Sequence, residues 1–125
     1  MNKVLLTGRL TRDPGIRYTQ SGIAVCTFTL AVDRRHKTDG QPTADFIPIV
    51  AWRKLAEICV IYLAKGRKVL IEGCVQIRSY EKDGSKRYVT EVIADDMEFL
   101  EKKSQADNAL QPFVEAVPEE EIPFN

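Results

Sequence analysis

Histidine occurs once, at His36, and cysteine three times, at Cys26, Cys59 and Cys74. The cysteines lie far apart, are odd in number and lack a Cys-x-x-Cys spacing, so neither a disulfide framework nor a zinc set follows from them. They read as reduced thiols, mostly core filler, and no metal or cofactor is expected. No apolar run approaches the roughly 18–20 residues needed to span a bilayer. Gly8-Arg9 interrupts any secretory signal pattern, so the expected location is cytoplasmic, with no membrane partner. Phosphate-loop, nucleophile-elbow and His-Glu-x-x-His motifs are all missing. Asp95 and Asp96, adjacent on a strand, point to opposite faces and make a poor acid–base pair. The chain is not expected to be an enzyme.

Positive charge is missing from the end of the chain. All 18 Lys and Arg residues lie within the first 103 positions, beside 13 acids, leaving that part at net +5. Residues 104–125 carry Asp107, Glu115, Glu119, Glu120 and Glu121 and no base. The formal net charge of zero therefore hides a basic body with an acidic tether, whose apolar tip is Ile122-Pro123-Phe124 followed by Asn125. A basic body attracts polyanions, and an acidic tail with core-type residues at its tip suits docking to another protein.

Within the body the hydrophobic period is mostly two. Val4, Leu6 and Leu10 begin a first strand that Asp13-Pro14-Gly15 closes. Ile23–Val32 places Ala24, Cys26, Phe28, Leu30 and Val32 on one face and Thr27 and Thr29 on the other. Residues Asp33–Thr43 read as a long hairpin tip, and Ala44–Trp52 as a third strand. Pro48 within it cannot donate a ladder hydrogen bond, which places it at a bulge or an unpaired edge. From Lys54 to Lys65 the period becomes helical, through Leu55, Ile58, Cys59, Tyr62 and Leu63. Gly66 suits the C′ position and Lys65 the negative end of the helix dipole. Lys68–Tyr80 and Lys86–Ala94 form a hairpin about Lys82-Asp83-Gly84-Ser85. Beyond Lys103 neither period persists.

Three strands, a helix, two strands and a tail is the element order of the OB-fold, an all-β, five-stranded Greek-key barrel with its helix between strands three and four. A β-sandwich offers no natural place for a lone helix in mid-chain. The expected divisions are 1–103 as the folded domain, 104–118 as a flexible linker and 119–125 as a disordered, acidic docking tip.

Single-stranded nucleic acid is held by cations along its backbone and aromatic faces beneath its bases. Trp52, at a strand end beside Arg53-Lys54, is placed to stack a base or else to plug the barrel end. Tyr80 sits among charges at another strand end. Phe46 shares the parity of Trp52 if no bulge intervenes. Phe28 and Tyr62 read as core. Basic residues cluster at Arg34-Arg35-His36-Lys37, Arg53-Lys54, Lys65 to Lys68, Arg78 and Lys86-Arg87.

Asn2 to Leu10, Asp13-Pro14 with Arg17-Tyr18, Phe28 to Val32, Asp45-Phe46 through Trp52, Lys54 to Glu57, Tyr62 to Gly66, Ile71-Glu72-Gly73 and Arg87 to Val92 resemble the bacterial and phage single-stranded DNA-binding proteins. The resemblance covers roughly residues 1–100 and the tip. It implies a homotetramer of OB-folds with single-stranded DNA wrapped outside, nucleoid-associated and acting in replication, recombination and repair. It implies base stacking at Phe46, Trp52 and Tyr80, with His36 at a fourth stacking position. The implied backbone contacts are Lys3, Lys54, Lys65, Arg78 and Arg87, with Arg34 and Arg35 supplying the loop's charge. Replication, recombination and repair proteins are the implied partners of Glu119, Glu120, Glu121, Ile122, Pro123 and Phe124. Two other OB readings are a protein-interaction module of a primosome, which the acidic tip opposes, and an RNA-binding domain, which no residue excludes.

Overall fold

The computed structural model describes residues 1–100; the expected linker and acidic tip lie outside the described residues. Six strands and one helix follow in the order β1 (Val4–Leu10), β2 (Gly15–Tyr18), β3 (Ala24–Asp33), β4 (Ala44–Trp52), α1 (Arg53–Tyr62), β5 (Lys68–Lys82) and β6 (Ser85–Phe99). Five of the strands close into a ring. β1 pairs antiparallel with β5, β5 with β6 and β4 with β3, while β6 joins β4 in parallel. Arg9↔Ala31 and Leu10↔Leu30 join β1 to β3 and complete the barrel. This is the expected OB architecture. The sixth strand, β2, was not foreseen; it pairs only with β3, at that strand's edge.

Alternation drives the closure. Ala24, Cys26, Phe28 and Leu30 are buried, while the residues between them are half-exposed. They meet Ile49, Ala51, Val69, Ile71, Val92, Ala94 and Met97 inside the ring, and Ala56, Cys59 and Leu63 join this core from α1 and the residue after it. No polar or charged side chain is buried among the described residues. Two glycines allow the close approaches that a small barrel needs. A Cβ on Gly8 would lie 2.3 Å from the Ala31 carbonyl oxygen, where β1 crosses β3. One on Gly73 would lie 2.0 Å from the Ile93 carbonyl oxygen. There the β5–β6 register shifts and leaves Asp95 as an extra residue, a β-bulge that bends β6 around the ring.

The β5–β6 hairpin turns through Asp83 and Gly84, both at positive φ (54° and 77°). That is the two-residue turn whose twist matches its strands. Both strands run longer than the sequence pattern indicated, to Lys82 and Phe99.

Two local expectations are corrected and one is narrowed. Pro48 pairs with Thr29 inside an unbroken β3–β4 register, without a bulge, and its other edge is unpaired among the described residues, since β4 joins β6 only at Ile49 and Val50. The Thr29 carbonyl is turned away to accept from the Thr11 N–H at 3.1 Å, so this pair needs no donor from Pro48. The helix ends at Tyr62, with Leu63 already extended. Gly66 and Lys65 therefore belong to the following turn, where the Gly66 N–H reaches the Leu10 carbonyl at 2.8 Å and the Lys65 N–H reaches Asp13 Oδ1 at 2.8 Å. Tyr62 is 37% exposed rather than core; it lies at the margin of the helix stripe, its ring 6.0 Å from that of Phe99.

Candidate nucleic-acid interface

The unbroken β3–β4 register decides which way the aromatic residues face. On β4, Ile47, Ile49 and Ala51 turn to the core, so Phe46, Pro48, Val50 and Trp52 share the outer surface. Phe46 is 66% exposed and Trp52 is 42% exposed. Trp52 is therefore no barrel plug. It is the last strand residue, and Arg53 follows at φ 59°, a left-handed kink that turns the chain into α1 without a loop. Such a backbone is costly for a non-glycine residue, and it holds Trp52 at the rim where strand becomes helix.

Tyr80 reaches the same surface through the ladder. Val50 lies beside Ile93, Ile93 pairs with Cys74, and Tyr80 stands six residues further along β5 at the same parity. Its exposure is 41%. Phe46 and Tyr80 lie toward one end of the sheet, beyond the Val50–Ile93 junction, and Trp52 lies on the other side of it. Six residues at about 3.3 Å each separate Phe46 and Trp52 by roughly 20 Å. The three rings thus form a discontinuous platform that several bases could occupy.

The basic residues divide by their company. Arg34 donates to Asp45 through two bonds, Nε to Oδ2 at 3.1 Å and Nη2 to Oδ1 at 2.8 Å. This pairing holds the Asp45 carboxyl below its ordinary range and raises Arg34 above its own, the hydrogen bonds outweighing the Coulomb attraction in both. Lys3 is paired with Glu72, whose hydrogen bond raises the lysine above its usual value. Arg78 Nε donates to Glu91 Oε1 at 2.9 Å. These pairs are surface-exposed on at least one side, where ion pairs are weak, so a phosphate can replace the carboxylate at modest cost.

Arg35, His36, Lys54, Lys65 and Arg87 form no ion pair with another described residue. Arg87 stands opposite Tyr80 in the β5–β6 ladder. Lys54 is the second residue of α1, two positions after Trp52. Arg35 and His36 lie in the exposed connection between β3 and β4. The structure thus gathers Phe46, Trp52, Tyr80, Arg78, Arg87 and Lys54 on or beside one surface, whereas Arg34 and its partner Asp45 share the parity of core-facing Val32 and Ile47, at the end of the β3–β4 ladder. Lys65 is not brought onto that sheet; it sits in the turn after α1, near Asp13 and Leu10. Lys3 lies beside β5, at Glu72. Residues Glu119–Phe124 lie outside the described residues.

Between β4 and the far rim, the outer face of β3 carries Val25, Thr27, Thr29 and Ala31. These small side chains form a low floor beside the aromatic residues. Across it stand Arg9 on β1 and Arg17 on β2. Sequence patterning missed both as site residues, because only the ladder register sets them opposite Phe46 and Trp52.

No group of histidine, cysteine or acidic side chains among the described residues could hold a metal ion, and no helix there is long and apolar enough to cross a membrane. The arrangement offers stacking faces and cations.

Comparison with known proteins agrees with this chemistry. The model of the family described as "Single-strand binding protein family" matches residues 1–100. The chain is 49% identical over 133 aligned positions to "Single-stranded DNA-binding protein 2" of Clostridium acetobutylicum, covering 99% of this chain and 100% of the relative. It is 52% identical over 115 positions to a single-stranded DNA-binding protein of Clostridium tetani, covering 90% and 79%. A protein of the same description from Caldanaerobacter subterraneus is 54% identical over 106 positions, covering 83% and 71%.

Proposed function

The chain belongs to the single-strand binding protein family, and on that premise we propose that it coats and protects single-stranded DNA, without strong sequence preference, during replication, recombination and repair. The observation that carries the reading is the shared outer surface of Phe46, Trp52 and Tyr80, exposed on a basic barrel. Every base has a π-face, so stacking on these rings is indifferent to sequence. Arg34, Arg35, Lys54, Arg78 and Arg87 line the phosphate path, His36 adds a ring in the β3–β4 connection, and Lys3 and Lys65 extend the charge beyond the platform. The role is binding, without a chemical step: by taking up only the unpaired form, the protein holds strands apart.

One barrel engages only about 4–16 nucleotides, so several linked copies extend the reach. The assembly is a homotetramer, and exposed Leu5, Ile77 and Tyr88 supply apolar surface for contacts between copies. Light scattering that finds a 14.1 kDa monomer at micromolar concentration would remove this part of the reading. The acidic tip, Glu119 to Phe124, recruits replication, recombination and repair enzymes: Ile122, Pro123 and Phe124 as apolar anchor, the glutamates against basic rims. The protein therefore works at the nucleoid. A flexible linker of 15 residues (104–118) has a root-mean-square span of about 20–23 Å. That keeps the tip near the basic surface at an effective concentration on the order of millimolar, where it competes with DNA phosphates. Removing residues 119–125 tightens DNA binding at low salt, by a margin that shrinks as salt screens the tail, and abolishes partner capture.

Trp52 is the sole tryptophan, so its fluorescence reports occupancy of the platform directly. Titration with oligothymidylate is expected to quench it at far lower concentration than titration with duplex DNA. Tighter binding to the matching RNA strand favours the RNA-binding reading, and no response to any single strand overturns the proposal.

A further inference from the structure

The ladder register sets Arg17, Val25 and Trp52 in one row across β2, β3 and β4, all on the outer surface. We propose that Arg17 is a phosphate-contacting residue of the DNA path, and that the strand stacked on Trp52 crosses the β3 floor toward β2 rather than following β4 alone. This rests on the functional reading above and deepens it by naming the course of the backbone.

The geometry carries the assignment. Two interstrand steps of about 4.8 Å put the Cα atoms of Arg17 and Trp52 about 10 Å apart, a gap an arginine side chain and one nucleotide can share. Between them lies Val25, and the next row is Gly15, Thr27 and Val50, so nothing tall stands in the way. Arg17 is exposed, and its guanidinium has no ion pair with another described residue. The row at the other end of the floor is Arg9, Ala31 and Phe46. There Arg9 Nη1 is engaged by the Gly66 carbonyl at 2.9 Å. At the Trp52 end, by contrast, the cation is left for an outside anion, and a guanidinium's planar fork fits a phosphate through two bonds. Tyr18, next to it, pairs with Ala24 and so projects from the opposite face of β2.

The test is the salt dependence of oligothymidylate binding by full-length wild type, Arg17→Ala, Arg17→Lys and Tyr18→Ala. For single strands each neutralised phosphate adds about 0.7 to the slope of log K against log salt. Arg17→Ala is expected to lower the slope by at least that amount. One lost contact then corresponds to about eightfold weaker binding at 50 mM salt and about threefold at 200 mM. Arg17→Lys is expected to restore the slope and Tyr18→Ala to keep it. If wild type binds and Arg17→Ala has the wild-type slope, this path is wrong while the functional reading stands. A loss that Arg17→Lys fails to rescue likewise overturns the charge contact. If wild type binds no single strand, the functional reading itself falls.

Discussion

Replacing Phe46 with alanine separates binding from folding more cleanly than any other change on the platform. The ring is 66% exposed and stands opposite Ala31, so folding buries only about a third of it. Full burial of a phenylalanine is worth about 1.5–3 kcal/mol, so the stability lost is about 0.5–1 kcal/mol. The lost stack is worth about 1–3 kcal/mol per base, a weakening of roughly 5- to 150-fold. Trp52 remains as reporter, and its quenching by oligothymidylate gives the affinity while thermal melting gives the stability. The expected result is a large rise in dissociation constant with a melting temperature only a few degrees lower. An affinity within twofold of wild type would mean that no base sits on Phe46. An affinity that falls only in step with stability, across a series of Phe46 variants, would return this ring to a structural role.

Gly73→Ala forces a Cβ to within 2.0 Å of the Ile93 carbonyl, and the backbone shift it demands is expected to destabilise the barrel by about 1–3 kcal/mol in denaturant unfolding. Asp45 titrates below its ordinary value of 3.8 because Arg34 hydrogen-bonds its carboxylate. The stability from this pair is therefore complete above the unfolded value and lost as pH falls through the folded one. Arg34→Ala should move the Asp45 carbon resonance titration back up toward 3.8, and saturating DNA that recruits Arg34 should do the same. Cys26 and Cys59 are fully buried, and Cys59 is pushed upward by its hydrogen bond with Cys26 and by burial. A thiol reagent should therefore label half-buried Cys74 first in the native protein and the other two only on unfolding.

The barrel is legible in the chain because its strands are buried on one side only. Alternation in Ala24–Val32 and the return of period two at Lys68 follow from that one-sidedness, and Asp83-Gly84 fixes the hairpin by demanding two positive φ angles. β2 is not legible for the opposite reason. Gly15–Tyr18 is four residues long, sits between turn signals and pairs along one edge only, too short for any period to register. The end of α1 is obscured because Leu63 continues the apolar stripe and is buried, yet does so from an extended backbone after the helix has stopped. Tyr62 shows the limit of the same signal, since a stripe has margins, and a margin residue packs on a neighbour such as Phe99 while remaining open to solvent.

The site divides along a different line. Aromatic type and flanking charge single out Phe46, Trp52 and Tyr80, but only an unbroken register can say that they share a face, and Pro48 hides that register. Its ring removes a donor that a two-sided strand would miss. The strand is one-sided at that point, because pairing with β6 joins only Ile49 and Val50. The cations are harder still. Arg34, Arg78 and Lys3 look in the sequence like Arg87 or Lys54, yet each already faces a carboxylate that lies 11, 13 or 69 positions away. Pairing of that kind is invisible to composition and to local spacing. It also sets what each residue offers a phosphate: exchange for the paired ones, new attraction for the unpaired ones. The loss of salt slope in single alanine variants should therefore be smaller at Arg34 and Arg78 than at Arg87, since alanine at a paired site removes a cation that the acid had already partly neutralised. Equal slopes at all three would mean that these surface pairs are too loosely held to shape binding at all.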